Sequence, residues 1–213
     1  MKKALGSSIF LAAFLAVLTL TAVQTVGSTS FYHLGEENAQ FLGGQDSTQE
    51  IFAIEGVSVT RGEAQTEVQS RMEQGLTQEE AVEQTAEVLV QKKALYARAR
   101  EAGISVSDKE FADYQSSMQE SMAKAENQEE IETYFKGFGG EAVYWEIMEP
   151  LIRENLVIRK YLNLENEKIT ETRSMDMTAD EVEEQIKRDI YREVYEKVDI
   201  ESLKSILGEL TEQ

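Results

Sequence analysis

LVQKKALYARAREAGISVSDKE, residues 89–110, is the stretch that decides the fold. Its first part is rich in Ala, Leu, Lys and Arg, which favour helices. Gly103 follows at the position where helices commonly end on a left-handed residue. Ser107 and Glu110 then have the S/T-x-x-E spacing of a capping box, which marks the start of a helix. The stretch therefore predicts two helices joined by a short turn.

Helix signals recur along the rest of the chain. The S/T-x-x-E spacing also opens helix-like runs at Thr60–Glu63, Thr77–Glu80 and Thr178–Glu181. Apolar residues at helical spacing predict further helices from about Glu141 to Leu162 and from about Thr178 to Leu207. Pro150 lies inside the first of these and is expected to kink or restart it. Residues 164–177 are polar and irregular, and are expected to form a connection.

One short region favours strands. IFAIEGVSVT, residues 51–60, has two β-branched runs separated by Glu55-Gly56, a pair suited to a tight turn. The fold class expected is mainly α, with a small N-terminal β-hairpin followed by an irregular multi-helix domain. A long helix over residues 178–213 is expected to pack on that domain and close it.

The N-terminal segment predicts export. Lys2 and Lys3 precede an uncharged run from Ala4 to Gly27, and a helix of that length reaches about 36 Å, enough to cross a bilayer core. Residues 1–27 are therefore expected to be an uncleaved signal-anchor, a single-pass membrane helix, or a cleaved signal peptide that leaves a secreted protein. Positive charge on the N-terminal side alone predicts a cytoplasmic N-terminus and an extracytoplasmic bulk. Residues 28–50, with several Gly, Ser, Thr and Gln, are expected to be a linker.

Composition excludes several classes of function. The chain has 40 acidic and 21 basic residues, a formal net charge of −19, so general electrostatic binding to nucleic acid is not expected. It has no cysteine and one histidine, His33, which removes thiol chemistry and thiolate metal sites. Motifs of zinc proteases, serine hydrolases and calcium loops do not occur. We expect no enzyme, no metal and no cofactor.

Three runs of sequence resemble a family of secretion chaperones. Residues Ile54–Glu63 look like the hairpin and first helix of the N-terminal chaperone domain of SurA- and PrsA-type proteins. Residues Leu89–Glu110 match that domain's helix ending in Gly-Ile and the following Val-Ser-Asp-x-Glu. Residues Tyr144–Leu162 are similar to its final arm. The resemblance covers residues 51–163, and trigger factor has a related C-terminal domain.

The resemblance implies a module that binds unfolded or newly exported polypeptides without ATP. In the family a parvulin-type prolyl isomerase domain follows the final arm. Here the polar residues 164–177 leave no room for it, and His33 cannot supply that site's paired histidines. Isomerase activity is therefore not expected.

Apolar residues near the helix breaks are candidates for an apolar peptide-binding cleft, because Met and aromatic side chains can repack against varied partners. The candidates form two groups, the second of which surrounds Gly137–Gly140 and is expected to be partly exposed. The residues are Phe111, Tyr114, Met118 and Met122, then Tyr134, Phe135, Phe138, Tyr144 and Trp145. The alternative for each residue is that it fills the core. The alternative function is a membrane-tethered subunit that docks one dedicated envelope partner.

Overall fold

A computed structural model describes residues 28–172 and 178–211, with the side chains of residues 31–169 and 178–211. Within these ranges the elements are α1 (Ser28–Gly43), β1 (Glu50–Ile54), β2 (Val57–Thr60), α2 (Arg61–Glu73), α3 (Gln78–Glu101), α4 (Asp108–Met122), α5 (Gln128–Gly137), α6 (Glu141–Thr172), α7 (Ala179–Tyr195) and α8 (Ile200–Leu210). The mainly helical fold class with an N-terminal hairpin is confirmed. The predicted export segment, residues 1–27, lies outside the described residues. No helix within the described part is long and apolar enough to cross a membrane.

The hairpin forms where the sequence predicts it. β1 and β2 pair antiparallel, with Ile54 opposite Val57 and Glu50 opposite Thr60. Glu55 and Gly56 both have positive φ, 51° and 73°, as the tightest hairpin turns require. Ile54 faces the core and is fully buried.

Capping boxes begin three of the helices. The hydroxyls of Thr77, Ser107 and Thr178 each accept from a backbone N–H three residues on, and the glutamate there accepts from the cap's N–H. The fourth predicted box is only half formed. Thr60 accepts from the Glu63 N–H, but the Glu63 carboxylate turns into the protein interior.

Residues 28–43 correct the predicted linker, because they form helix α1. Phe31 and Asn38 of α1 are buried, and the Asn38 side-chain amide donates to the Tyr134 hydroxyl of α5 at 3.1 Å. Gly35, which contributed to the linker prediction, is a packing residue. The absence of a side chain there lets α1 approach α5 closely.

Helix α6 corrects two further predictions. It continues through Pro150, although proline removes one helical hydrogen bond. Pro150 is exposed, so water can reach the carbonyl that loses its partner. The helix also extends to Thr172, so residues 164–172 of the predicted polar connection are helical. Residues 173–177 lie outside the described part.

Two helices close the fold where the sequence predicted one. α7 ends at Tyr195, and Asp199 starts α8 by accepting from the Ser202 N–H at 3.1 Å. Val182, Ile186, Ile190 and Val194 form the buried stripe of α7.

The elements build two apolar cores that share α6. The first core contains the hairpin, α2, α3, α7, α8 and the later part of α6, including Ile158 and Leu162. The second contains α1, α4, α5 and the earlier part of α6, from Tyr144 to Ile152. Because one helix contributes to both cores, it fixes their relative position.

The crossing of α1 and α5 depends on two glycines. A Cβ added at Gly35 would overlap the Tyr134 carbonyl oxygen and lie 3.2 Å from the Gly137 Cα. A Cβ at Gly137 would overlap the Tyr32 carbonyl oxygen. The two backbones are therefore in direct contact at this crossing.

We expect Gly35→Ala to lower the free energy of unfolding by about 2 kcal/mol, because the added methyl forces the two helices apart. Urea unfolding followed by circular dichroism measures the change. The matched control is Gly208→Ala in α8, where an added Cβ meets nothing within 4 Å. That substitution should raise stability by about 0.5–1 kcal/mol through helix propensity. Equal effects of the two substitutions would contradict the close crossing.

Candidate binding groove

Four charged side chains meet between the two cores. Glu63 of α2 lies 2.8 Å from Lys92 Nζ and 2.7 Å from Lys93 Nζ of α3. Glu154 of α6 receives Lys93 Nζ at 2.9 Å on both carboxylate oxygens. Lys92 also lies 3.8 Å from Glu154. The network has no net charge and joins α2, α3 and α6.

Burial and charge act in opposite directions on this network. Burial alone would raise the pKa of Glu63, but Lys92 and Lys93 outweigh it and the pKa lies below its usual value. Burial alone would lower the pKa of Lys92, but Glu63 and Glu154 outweigh it and the pKa is raised. Both groups are thus held charged. A lysine in this state is a poor nucleophile or base, so the network is structural.

The residues predicted as a peptide-binding cleft form the second core instead. Phe111, Met118 and Met122 of α4 and the aromatic group of α5 and α6 all have at most 8% of their surface exposed, and Tyr114 is half-buried. The structure brings the two predicted groups together around Tyr144, whose ring lies 4.9 Å from that of Phe135 and 5.1 Å from that of Phe138. The prediction that the group around Gly137–Gly140 is partly exposed is wrong. Its rings are covered by one another and by α1.

An open groove lies instead between the end of α3 and the middle of α6. This open depression holds about 590 Å³. Tyr96 and Arg100 of α3 form one wall, and Pro150, Arg153, Glu154 and Val157 of α6 form the other. The segment Gly103-Ile104-Ser105-Val106 crosses one end.

The local sequence explains why this segment is extended and fixed. Helix α3 ends at Gly103, which has a φ of 73°, and the Ile104 N–H returns to the Ala99 carbonyl at 2.9 Å. Lys160 Nζ donates to the Ser105 carbonyl at 2.7 Å, and Arg153 donates to the Val106 carbonyl at 3.3 Å. Two α6 side chains therefore hold the segment against the groove.

The same side chains secure the start of α4. Arg153 pairs with Asp108 at 2.8 Å and lies over the Phe111 ring at 4.7 Å. Lys160 pairs with Glu110 at 2.6 Å, and this contact, with the Ser107 cap, lowers the pKa of Glu110 to about 2. Since these contacts come from α6, the groove is preformed.

Arg100 is the charged residue of the groove that could bind a charged ligand. Its guanidinium lies 6.0 Å from the centre of the Tyr96 ring. Within the described ranges it forms no ion pair, although Glu55 and Glu101 line a neighbouring pocket with it. Arg153 and Glu154, by contrast, are each paired. A groove with apolar side chains and one cation that is unpaired in the described ranges can bind an extended apolar segment that carries a negative charge.

Sequence reasoning did not identify this groove, and the sequence around Arg100 carries no distinguishing signal for it. The positions three and four residues from Arg100 on either side are Tyr96, Ala97, Gly103 and Ile104, none of which is acidic. Arg61 and Arg159 also lie in helices without an acidic neighbour at this spacing, so the pattern does not single out Arg100. The pairing of α3 with α6, which forms the groove, is a contact between distant parts of the chain and is not predicted by local sequence patterns.

Comparison with known proteins gives no further guide, since no family model, no curated protein and no solved structure matches the chain. The resemblance to the SurA- and PrsA-type domain stays a prediction from sequence. The described residues also contain no group of three or more acidic, His or Cys side chains that could hold a metal ion.

We expect Lys93→Met to lower the free energy of unfolding by about 3 kcal/mol, because it removes the closest partner of Glu154 and leaves Glu63 with Lys92 alone. Urea unfolding measures the loss. The control is Lys109→Met, which removes an exposed pair with Asp113 and should leave stability unchanged within error. A Lys93→Met protein as stable as this control would show that the network contributes nothing.

The depressed pKa of Glu63 predicts a pH dependence. Its ionised form is favoured by folding, so the stabilisation is complete above about pH 5 and is lost as the pH falls through the pKa in the folded protein. We expect the stability difference between the natural protein and Glu63→Gln to shrink from about pH 7 to about pH 3.5, because a protonated Glu63 resembles glutamine. Unfolding in urea at each pH tests this. A difference that does not change with pH would place the Glu63 pKa at its ordinary value.

Proposed function

We propose that this chain is an extracytoplasmic, ATP-independent chaperone that binds unfolded or newly exported polypeptides in the groove between α3 and α6. The observation that carries the proposal is the groove itself. Ile104, Val106 and Pro150 contribute apolar surface to an open channel in a protein whose other large apolar side chains mostly lie in its two cores. The likeness of residues 51–163 to secretion chaperones supports the same function.

The groove suits an extended chain. Pro150 and Val157 are seven residue steps apart on α6, or about 10 Å, which corresponds to about three residues of extended polypeptide. Such a short, open site gives weak and varied binding, because little apolar area is buried against the cost of ordering the segment. Weak binding of many segments is what a holding chaperone requires.

The charge of the protein suits a complex that must remain soluble. With a net charge of −19, chaperone molecules repel one another even when each carries an apolar segment. The binding itself is expected to survive moderate salt, since burial of apolar surface does not depend on long-range charge.

We expect residues 28–213, which contain every described element, to suppress aggregation of two unrelated denatured proteins diluted from denaturant. Light scattering at equimolar ratio without ATP measures the effect, with an inert acidic protein as reference. Ile104→Ser should weaken suppression, because it removes apolar surface from the groove. Val88→Ser, an exposed apolar position of α3 outside the groove, is the matched control and should not.

Two outcomes would count against the proposal. No suppression relative to the acidic reference would favour a subunit that docks one dedicated partner. Equal suppression by the Ile104 and Val88 variants would remove the groove as the binding site. Variants of Phe138 and Trp145 would not answer this question, because both side chains are buried and their loss would destabilise the fold.

A further inference from the structure

We infer that the groove recognises the C-terminal end of a polypeptide, with its last apolar residues along α6 and its free carboxylate at Arg100. The inference rests on the proposed function and states which part of a client the groove takes. Three observations carry it: the free charge of Arg100, the donors of the segment that crosses the groove, and the length of the apolar channel.

Arg100 is the first of these observations. In the described ranges every other charged group of the groove is paired. Arg153 is shared between Glu149 and Asp108, and Glu154 accepts from Lys93. Arg100 forms no ion pair in these ranges, and its guanidinium lies 6.0 Å from the centre of the Tyr96 ring, which leaves its charge unneutralised. An arginine presents a planar set of donors that matches a carboxylate.

The segment that crosses the groove provides donors of the same kind. The carbonyls of Ser105 and Val106 are bonded by Lys160 and Arg153. Their backbone N–H groups have no acceptor in the described part of the chain. The segment thus offers donors and few acceptors, which suits capture of a terminal carboxylate.

The occupant follows from combining charge with apolar character. A segment of about three residues fits the channel. Only particular sequences place an acidic side chain within so short an apolar segment, whereas every polypeptide ends in a carboxylate. The chain's own negative charge repels anions at a distance, but beyond about 8 Å this is screened at physiological salt. The carboxylate is therefore attracted to Arg100 only at short range.

The test compares two labelled peptides that end in the same three apolar residues, one with a free C-terminal carboxylate and one amidated. Fluorescence anisotropy measures their affinity for the full chain in a mild detergent at constant salt. We expect the acid to bind about two- to five-fold more tightly than the amide. Arg100→Gln should abolish the difference, and Arg100→Lys should keep part of it. Arg188→Gln, which removes a cation of α7 outside the groove, should keep all of it.

Each other result has a distinct meaning. Equal affinity for acid and amide would overturn carboxylate recognition while leaving the proposed function in place. An amidated peptide with an internal glutamate that binds as tightly as the acid would overturn selectivity for the chain end. If Arg188→Gln removed the affinity difference between acid and amide as fully as Arg100→Gln does, the difference would arise from the overall charge of the protein and not from a contact at Arg100. Binding of neither peptide, together with unchanged aggregation of denatured proteins, would overturn the proposed function itself.

Discussion

The buried network of Glu63, Lys92, Lys93 and Glu154 is the constraint on which the rest of this structure depends. Charges withdrawn from water are tolerated only when each meets an opposite charge at close range, so α2, α3 and α6 can take only those positions that bring the four groups together. An apolar interface would permit small slides of one helix on another. The network therefore sets the register of α3 against α6 more sharply than the surrounding apolar contacts.

The position of α6 then determines what remains open. Its earlier part packs in the aromatic core with α1, α4 and α5, and its later part packs in the core with the hairpin and α3. The two cores lie on either side of Glu154. Where α3 ends at Gly103 the chain turns away, and the space between α3 and α6 is left as a groove. The groove is a consequence of how the two cores are joined.

Some sequence patterns are compatible with one structure only, whereas others are compatible with two, and particular residues illustrate both cases. Ser107 and Glu110 form the predicted capping box, because both partners lie within one turn. Glu63 has the same spacing from Thr60, but its carboxylate is taken by lysines of another helix. Gly35 and Pro150 are breakers by local preference. Gly35 instead allows close packing of two helices. Pro150 lies within a helix that is stabilised by contacts in both cores.

The sequence by itself determined most of the helices, three of their capping boxes and the hairpin, because these depend on interactions between residues a few positions apart. Only the tertiary structure decided which apolar residues are core and which are surface. Phe138 and Trp145 have the composition of a binding site but are enclosed, whereas Ile104 and Arg100 attract little notice in the sequence and line an open groove. Exposure is set by elements distant in the chain, and no local pattern encodes it.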